Sequence, residues 1–169
     1  KILFCNNPTN PTGAIYSKIQ LENISKIMKK HNILIFSDEI YMNLVYPQYK
    51  DDTTSIRKYY NKVIVGSSLS KDISTGGWRL GWMTFTKELE DIHNQMVQLS
   101  SCIYSCASMP LQYVGEYALR NYNQLTEYNE YMRQFYSKLG KYCYDKFNDL
   151  DLITSKPQAA WYIFLDFRN

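Results

Sequence analysis

Three short apolar runs, each followed by polar or loop-forming residues, constrain the fold of this chain more than any other feature. The runs cover residues 1–5, 33–36 and 62–66, and the second is too continuous to alternate between buried and exposed positions. Such a strand is typical of a parallel sheet that is covered on both faces. A helical pattern separates the first two runs. The sequence therefore predicts a right-handed strand–helix–strand unit, and its loops should leave one edge of one sheet.

The helical pattern after the first run has clear start and stop signals. Ser17 and Gln20 have the spacing of a capping box, and His31 is suited to a helix C-terminus. Apolar residues recur between them at helical spacing, at Leu21, Ile24, Ile27 and Met28. We expect this helix to lay one apolar stripe on the sheet.

The second half of the chain is mainly helical. Helices are predicted over residues 87–99, 111–119 and 125–147, of which the last two form one or two long helices. Further strands are predicted over residues 82–85, 150–153 and 161–167, the last of them antiparallel with one wet face. A long, half-polar helix such as the third often bridges two domains. We therefore divide the chain into residues 1–124, part of a larger domain, and residues 125–169, a linker helix and the start of a smaller α/β domain.

Composition excludes several classes of function. The 169 residues carry a formal net charge of +3, and the basic side chains are scattered, so we expect no nucleic-acid partner. No apolar run approaches the roughly 20 residues that span a bilayer. No signal peptide is visible, and we predict a cytoplasmic location. Cys102 and Cys106 lie four residues apart without a nearby His or acidic residue, and we expect no metal site.

The stretch over residues 67–82, directly after the third apolar run, is where we place the chemistry. Lys71 could be a solvated loop charge, or an amine that forms an imine, because an ammonium near other cations or shielded from water loses its proton more easily. Ser68, Ser70 and Arg79 are the donor types that hold a phosphate group. Taken alone, this stretch leaves both interpretations open.

Two earlier stretches change that balance. Residues 6–13 read Asn-Asn-Pro-Thr-Asn-Pro-Thr-Gly, and residues 37–41 read Ser-Asp-Glu-Ile-Tyr. With the Ser-Leu-Ser-Lys of residues 68–71 and an arginine eight positions after the lysine, the chain resembles the fold-type I aminotransferases that use pyridoxal phosphate, the class I and II family. The resemblance covers nearly the whole chain but begins in mid-domain, so we expect a fragment of a longer polypeptide. It implies an α/β fold with a large domain built on a mostly parallel sheet.

The resemblance also implies roles for individual residues. Lys71 forms the imine with the cofactor and, once a substrate amine displaces it, serves as the general base. Asp38 keeps the pyridine nitrogen protonated, while Asn10 and Tyr41 hydrogen-bond the phenolic oxygen of the cofactor. The phosphate ligands are Ser68, Ser70 and Arg79.

Other features extend this reading. We expect Gly76 and Gly77 to let the chain turn closely around the phosphate so that Arg79 points back. Tyr104 and Ser105 match the positions of residues that reach the partner subunit's site in family homodimers. In the family, several cofactor and substrate ligands lie outside the span that this sequence matches. We therefore expect the chain by itself to bind cofactor poorly.

The predicted function is transfer of an amino group from an L-amino acid to a 2-oxo acid. Two alternatives stay open. A carbon–sulfur lyase or an amino-acid decarboxylase on the same scaffold would use Lys71, Asp38 and Arg79 equally well. A truncated module without catalysis is the other alternative, and the joint presence of these residues with Tyr41 argues against it.

Overall fold

A four-stranded sheet forms the centre of the computed structural model, which describes residues 1–152 and 155–168. The strands are β1 (Ile2–Asn6), β2 (Leu34–Asp38), β3 (Val63–Ser68) and β4 (Gly81–Phe85), and they lie in this order in the sheet. The first three are parallel, whereas β4 pairs with β3 in the antiparallel direction. The predicted α/β fold with a mostly parallel sheet is confirmed.

α-Helices make up about half of the described residues outside the sheet. The α-helices are α1 (Lys18–Lys30), α2 (Leu69–Asp72), α3 (Glu90–Tyr104), α4 (Met109–Arg120) and α5 (Tyr122–Asn148). The helices predicted in the second half are confirmed, with bounds that differ by a few residues. No helix within residues 1–152 and 155–168 is long and apolar enough to cross a membrane.

The capping box predicted for α1 is present. The Ser17 side chain accepts a hydrogen bond from the Gln20 backbone N–H at 3.2 Å, and the Gln20 side chain accepts one from the Ser17 N–H at 2.8 Å. His31 is the C-cap residue, as predicted. These contacts satisfy backbone groups that a helix end leaves unpaired.

Fewer apolar residues of α1 face the core than the sequence pattern predicts. Leu21 is fully buried, and Ile24 and Met28 pack against the same core. Ile27 is 54% exposed, contrary to expectation. It lies six residues after Leu21, and at 100° per residue this spacing points it away from the face that touches the sheet.

The two faces of the sheet differ in burial. Ile35 and Val63 are fully buried on the face that α1 covers, and about 25 cal/mol of stabilisation comes with each Å² of apolar surface removed from water. On the other face Phe4 is 72% exposed and packs against Phe36 with 5.5 Å between ring centroids. One side of the sheet therefore forms the main core.

Helix α5 packs closely on the segment that follows β2. A Cβ atom added at Gly140 would lie 2.5 Å from the Tyr46 hydroxyl oxygen, so the absence of a side chain allows this approach. The Tyr46 hydroxyl donates in turn to the Ala160 carbonyl at 3.0 Å. The segment after β2 is thus held between α5 and the end of the chain. The division between residues 1–124 and 125–169 stays a prediction.

Two predicted strands at the end of the chain are wrong or fall partly outside the described residues. Ile153 of the predicted strand 150–153 lies outside them, and Leu150 instead bonds back to the Phe147 carbonyl at 3.1 Å in a turn that closes α5. Residues 161–167 form no strand in the described part of the chain. Ala159 makes an isolated antiparallel bridge with Val45, and the Asp166 N–H donates to the Leu152 carbonyl at 2.9 Å, which joins the two segments without a continuous ladder in the described residues.

Candidate functional site

The carboxyl ends of the three parallel strands meet at one edge of the sheet. Asn6 lies opposite Asp38, and Asp38 lies opposite Gly66. The backbone N–H groups that follow continue this pattern: Asn7 donates to the Asp38 carbonyl and Glu39 donates to the Gly66 carbonyl, both at 3.0 Å. The three loops that carry the predicted site residues therefore leave the sheet side by side, as expected for this topology.

The loop after β1 has a fixed shape. The Asn10 N–H donates to the side-chain oxygen of Asn6 at 2.7 Å, and the Gly13 N–H donates to the Thr9 carbonyl at 2.8 Å. Gly13 has a φ of +68°, a conformation that glycine adopts without the steric cost that other residues pay. Asn10 is consequently presented at the strand edge on a closed turn.

Asn10, Asp38 and Tyr41 come together at this edge. Tyr41 is only 5% exposed, and burial raises the pKa of its hydroxyl above the ordinary value. A hydrogen bond with Tyr162 and the charge of Asp38 raise this pKa further, whereas a hydrogen bond with Asn10 lowers it. Asp38 also accepts the Ile40 N–H on Oδ1 at 3.2 Å, which fixes the orientation of its carboxylate.

The loop after β3 begins with the short helix α2, which carries Lys71. Its first turn is capped by Ser68, whose hydroxyl oxygen accepts the Ser70 N–H at 3.1 Å. The Lys71 ammonium lies 5.4 Å from the centre of the Trp161 ring, and that ring lies 5.6 Å from the Tyr41 ring. Lys71 is therefore half-buried on the same side as Tyr41, with the indole between them.

Arg79 is less well placed than the other predicted residues. It is exposed, and its guanidinium donates to the Gly76 carbonyl at 2.7 Å. Among the described residues it makes no hydrogen bond with Ser68 or Ser70. Its backbone is nevertheless close, because Gly81 pairs with Ser68 across β3 and β4. The structure brings Asn10, Asp38, Tyr41 and Lys71 together and leaves Arg79 at the rim.

The role expected for the double glycine stays a prediction, and neither glycine has a positive φ. Within the described residues the glycine with a positive φ is Gly13, and a Cβ atom added at Gly77 would meet nothing within 4 Å. The left-handed positions of this loop are Ser74, with a φ of +59°, and Arg79, with a φ of +56°. These two residues turn the chain, at a steric cost of roughly 1–2 kcal/mol each.

A groove of about 480 Å³ opens beside Asp38. Its walls are formed by Phe36, Asp38, Ile40, Gly66, Ser67, Gly81, Trp82, Met83 and Tyr104. A Cβ atom at Gly66 would lie 3.2 Å from the Phe36 ring, and one at Gly81 would lie 3.2 Å from the Ser67 carbonyl oxygen. Both glycines therefore keep the strands and the ring closely packed at the groove. Tyr104, at the end of α3, lines this groove within the same chain, and exposed Ser105 follows it.

Three residues near the site were missed by sequence reasoning. Trp161 and Tyr162 contact Lys71 and Tyr41, although the sequence indicated only a strand there. Asp72 is 3% exposed, and burial raises its pKa to about 6, while Asn43 donates to its carboxylate at 2.8 Å. The sequence did offer one signal, because the two alanines before Trp161 have small side chains that allow close packing. The described part of the chain holds no group of three or more metal-ligand side chains.

Comparisons with known proteins agree with this arrangement. A family model described as aminotransferase class I and II matches residues 1–169. An aspartate aminotransferase of Pyrococcus abyssi and an aromatic-amino-acid aminotransferase of Thermococcus litoralis are each 32% identical over 165 residues, which cover 97% of this chain and 41% of each relative.

A solved structure of a Thermus thermophilus aspartate aminotransferase double mutant matches with a TM-score of 0.88 at 26% identity, over 98% of this chain and 42% of that one. The chain thus spans about two fifths of the length of the curated relatives it matches. Both the sequence and the backbone of nearly the whole chain agree with one family. The chain belongs to the aminotransferase class I and II family.

Proposed function

We propose that the protein is a pyridoxal-phosphate-dependent aminotransferase that moves an amino group from an L-amino acid to a 2-oxo acid. The observation that carries this proposal is the position of Lys71. Lys71 follows the end of β3, and its amine lies on the same side of the sheet edge as Tyr41 and Asp38. The Trp161 indole ring separates the amine from Tyr41. An amine, a carboxylate and a phenol at one strand edge match the functional groups that this cofactor requires.

The donors and acceptors at the edge fit pyridoxal phosphate. Ser68 accepts one hydrogen bond on its hydroxyl oxygen and retains its own O–H to donate. Arg79 uses one N–H on the Gly76 carbonyl, and a guanidinium has five N–H donors, so others are available for a phosphate. The Asp38 carboxylate suits a protonated ring nitrogen. Ser70 adds a further hydroxyl on the first turn of α2.

The cofactor, when bound, supplies an electron sink for the electrons of a broken bond at the substrate Cα. Lys71 would hold it covalently and, once displaced by the substrate amine, would act as a general base that takes the substrate Cα proton and delivers it to the cofactor. Asp38 favours the charged form of the ring nitrogen. Tyr41 and Asn10 donate hydrogen bonds to the phenolic oxygen. The position of these side chains at one edge of the sheet supports the proposed roles.

The wider parts of this proposal concern partners and location. The substrates are an amino acid and a 2-oxo acid, as the names of the relatives suggest. We propose a homodimer in which Tyr104 and Ser105 approach the partner's site, and a cytoplasmic location. Sedimentation of the natural polypeptide and cell fractionation test these two statements.

Covalent trapping tests the central claim. The natural polypeptide that carries this sequence is incubated with pyridoxal phosphate and reduced with borohydride, and its peptides are weighed by mass spectrometry. We expect a pyridoxyl phosphate group on Lys71. The label should vanish in Lys71→Arg and persist in Lys87→Arg, a matched change at an exposed lysine of the same region.

Product analysis separates amino transfer from related chemistry. Aspartate and an aromatic amino acid are each offered with 2-oxoglutarate, and we expect glutamate to form in a Lys71-dependent manner. An unlabelled Lys71 would contradict the cofactor assignment. Pyruvate with free ammonia, or carbon dioxide, in place of glutamate would contradict the amino-transfer assignment alone.

A further inference from the structure

The segment over residues 157–162 is docked on the loop that carries Asn10. The Gln158 N–H donates to the Gly13 carbonyl at 3.0 Å, and the Gln158 side-chain oxygen accepts the Ile15 N–H at 3.2 Å. A Cβ atom at Gly13 would lie 3.0 Å from the Ala159 carbonyl oxygen. The segment therefore has a position that is fixed by the site loop itself.

Two aromatic side chains extend from this segment into the site. The Tyr162 ring lies 5.4 Å from the Tyr41 ring at an interplanar angle of 85°, and the two hydroxyl groups are hydrogen-bonded. Trp161 packs edge-on against Tyr41 as well, and its ring is 5.4 Å from the Lys71 ammonium. Edge-to-face packing with a hydroxyl contact fixes both the place and the rotation of the Tyr41 phenol.

The Tyr41 hydroxyl lies among few polar groups. Titratable Asp38 and Tyr162 act on it directly, Asn10 hydrogen-bonds it, and the charge of Lys71 lies beyond Trp161. A phenol has one hydrogen to donate and lone pairs to accept. The bond with Tyr162 raises the pKa of Tyr41, as expected when Tyr41 gives its hydrogen to Tyr162 and no other acceptor is at hand. Either hydroxyl can be the donor, and if Tyr162 gives its hydrogen to Tyr41, the Tyr41 hydrogen is left for a third atom. That atom would be the phenolic oxygen of the cofactor.

We propose that Tyr162 is a positioning residue, which donates to the Tyr41 hydroxyl and aims the Tyr41 hydrogen at the cofactor. This inference rests on the proposed function. A hydrogen bond to the phenolic oxygen draws electron density from it, and the nitrogen that joins Lys71 to the cofactor then holds its proton less firmly. Tyr162 thereby lowers, through Tyr41, the pH at which that nitrogen loses its proton.

A pH titration of the lysine-bound cofactor, followed by its absorbance, tests this proposal in the natural polypeptide. Tyr162→Phe keeps the ring and removes the hydroxyl. We expect the proton dissociation constant of the nitrogen to fall about threefold to tenfold, the effect of one hydrogen bond. Tyr41→Phe should shift the titration further in the same direction. The double variant should match Tyr41→Phe, because Tyr162 acts through Tyr41.

Tyr136→Phe is the matched control, since its ring packs 5.4 Å from Trp161 in the same aromatic cluster. We expect it to leave the titration unchanged. A Tyr162→Phe titration equal to that of the unmodified protein would overturn the proposal, as would an equal shift in Tyr136→Phe or a double variant that sums both single shifts. A polypeptide without Lys71-bound cofactor would overturn the proposed function instead.

A cofactor-free measurement covers the case in which a variant folds poorly. The unfolding equilibrium of the unmodified protein, the Tyr41→Phe and Tyr162→Phe variants and the double variant is measured in urea, which gives a double-mutant cycle. We expect the two substitutions to be coupled, with the second costing at least threefold less in the unfolding equilibrium constant once the first is made. Independent effects would contradict the contact on which the proposal depends.

Discussion

The two halves of the candidate site differ in how firmly the protein holds them. The inner half consists of Asn10, Asp38 and Tyr41, on loops that follow β1 and β2, and it is closed by the segment over residues 157–162. The loop half consists of Ser68, Ser70 and Arg79. Its guanidinium is exposed and bonded to a neighbouring carbonyl. The inner half is held by contacts within the protein, whereas Arg79 of the loop half points to a neighbouring carbonyl and has still to turn towards Ser68 and Ser70.

This difference separates two tasks. Groups that act on developing charge are effective when they are already in place, because no reorganisation is then needed during the reaction. Groups that provide affinity can be ordered by the ligand, at some cost in binding free energy. We therefore expect changes in the inner half to reduce turnover, and changes in the loop half to reduce affinity for the cofactor.

The largest effect is expected from Asp38→Asn. Asparagine keeps an oxygen to accept the Ile40 N–H but removes the negative charge. We expect turnover to fall about 10²–10³-fold, because a preorganised charge is lost from the reacting centre. Cofactor affinity should change much less. Steady-state kinetics with a separate cofactor titration check both parts.

Asp51→Asn is a suitable control for that prediction, because Asp51 is an exposed carboxylate on a surface turn. If Asp38→Asn lost as much affinity for the cofactor as it lost turnover, this would contradict the proposal that the two halves have different tasks.

The second-largest effect is expected at Asp72, which lies in α2. Its carboxylate accepts a hydrogen bond from Asn43 and so holds the start of the loop half in place. Burial raises its pKa from 3.8 to about 6 in the folded chain. The protonated group therefore stabilises the fold fully below pH 3.8, and this contribution is lost as the pH rises through about 6. In Asp72→Asn, which cannot ionise, stability relative to the unmodified protein should rise by about 3 kcal/mol between pH 4 and 7.

Urea unfolding across this pH range measures the difference, with Asp145→Asn as the control. Asp145 is an exposed partner of Lys141, and its substitution should change stability by less than about 0.5 kcal/mol throughout. If the stability difference between Asp72→Asn and the unmodified protein did not change with pH, Asp72 would not be a buried carboxylate that ionises in this range.

Arg79→Ala should weaken cofactor binding about tenfold to a hundredfold, which corresponds to the loss of charged hydrogen bonds to a phosphate. Arg79→Lys should recover only part of this affinity, because an ammonium cannot make the forked contact of a guanidinium. Equilibrium dialysis with pyridoxal phosphate measures the affinities. Equal binding by Arg79→Ala and the unmodified protein would exclude Arg79 from the phosphate site.

The smallest effect is expected at the double glycine. Gly77→Ala should change the free energy of unfolding by less than about 0.5 kcal/mol, since a Cβ atom there meets nothing within 4 Å. Gly13→Ala is the contrasting variant and should destabilise by at least about 1 kcal/mol, because its φ is +68°. Urea unfolding of the two variants compares them directly. Similar losses would restore the conformational role that the sequence suggested for Gly77.

Features that depend on local chemistry were predictable from the sequence. The capping box at Ser17 needs only four consecutive residues, and the departure of the loops after Asn6 and Asp38 from one edge of the sheet follows from the parallel strand–helix–strand connection. The placement of Asn10 and Tyr41 at a common edge followed from the same rule. Site residues at strand ends are therefore accessible to sequence reasoning.

Features that depend on tertiary contacts were not predictable. Trp161 and Tyr162 lie in an apolar run that suits a strand, yet the backbone just before them, at Gln158 and Ala160, bonds to the Gly13 and Leu44 carbonyls. No local pattern reports which loop a distant segment will meet. The turn at Arg79 was missed for a related reason, because a left-handed arginine is held by its surroundings, against its own steric preference.

The link between Ile15 and Gln158 joins positions that are 143 residues apart. A chain emerging from the ribosome from its first residue onward cannot make this link until nearly all of the sequence described here has been synthesised. Contacts of such long separation also form slowly, because the intervening loop must lose entropy first. We expect the inner half to be completed only after residue 158 has been synthesised and has docked, so that chains stopped before that residue would lack the segment that closes it.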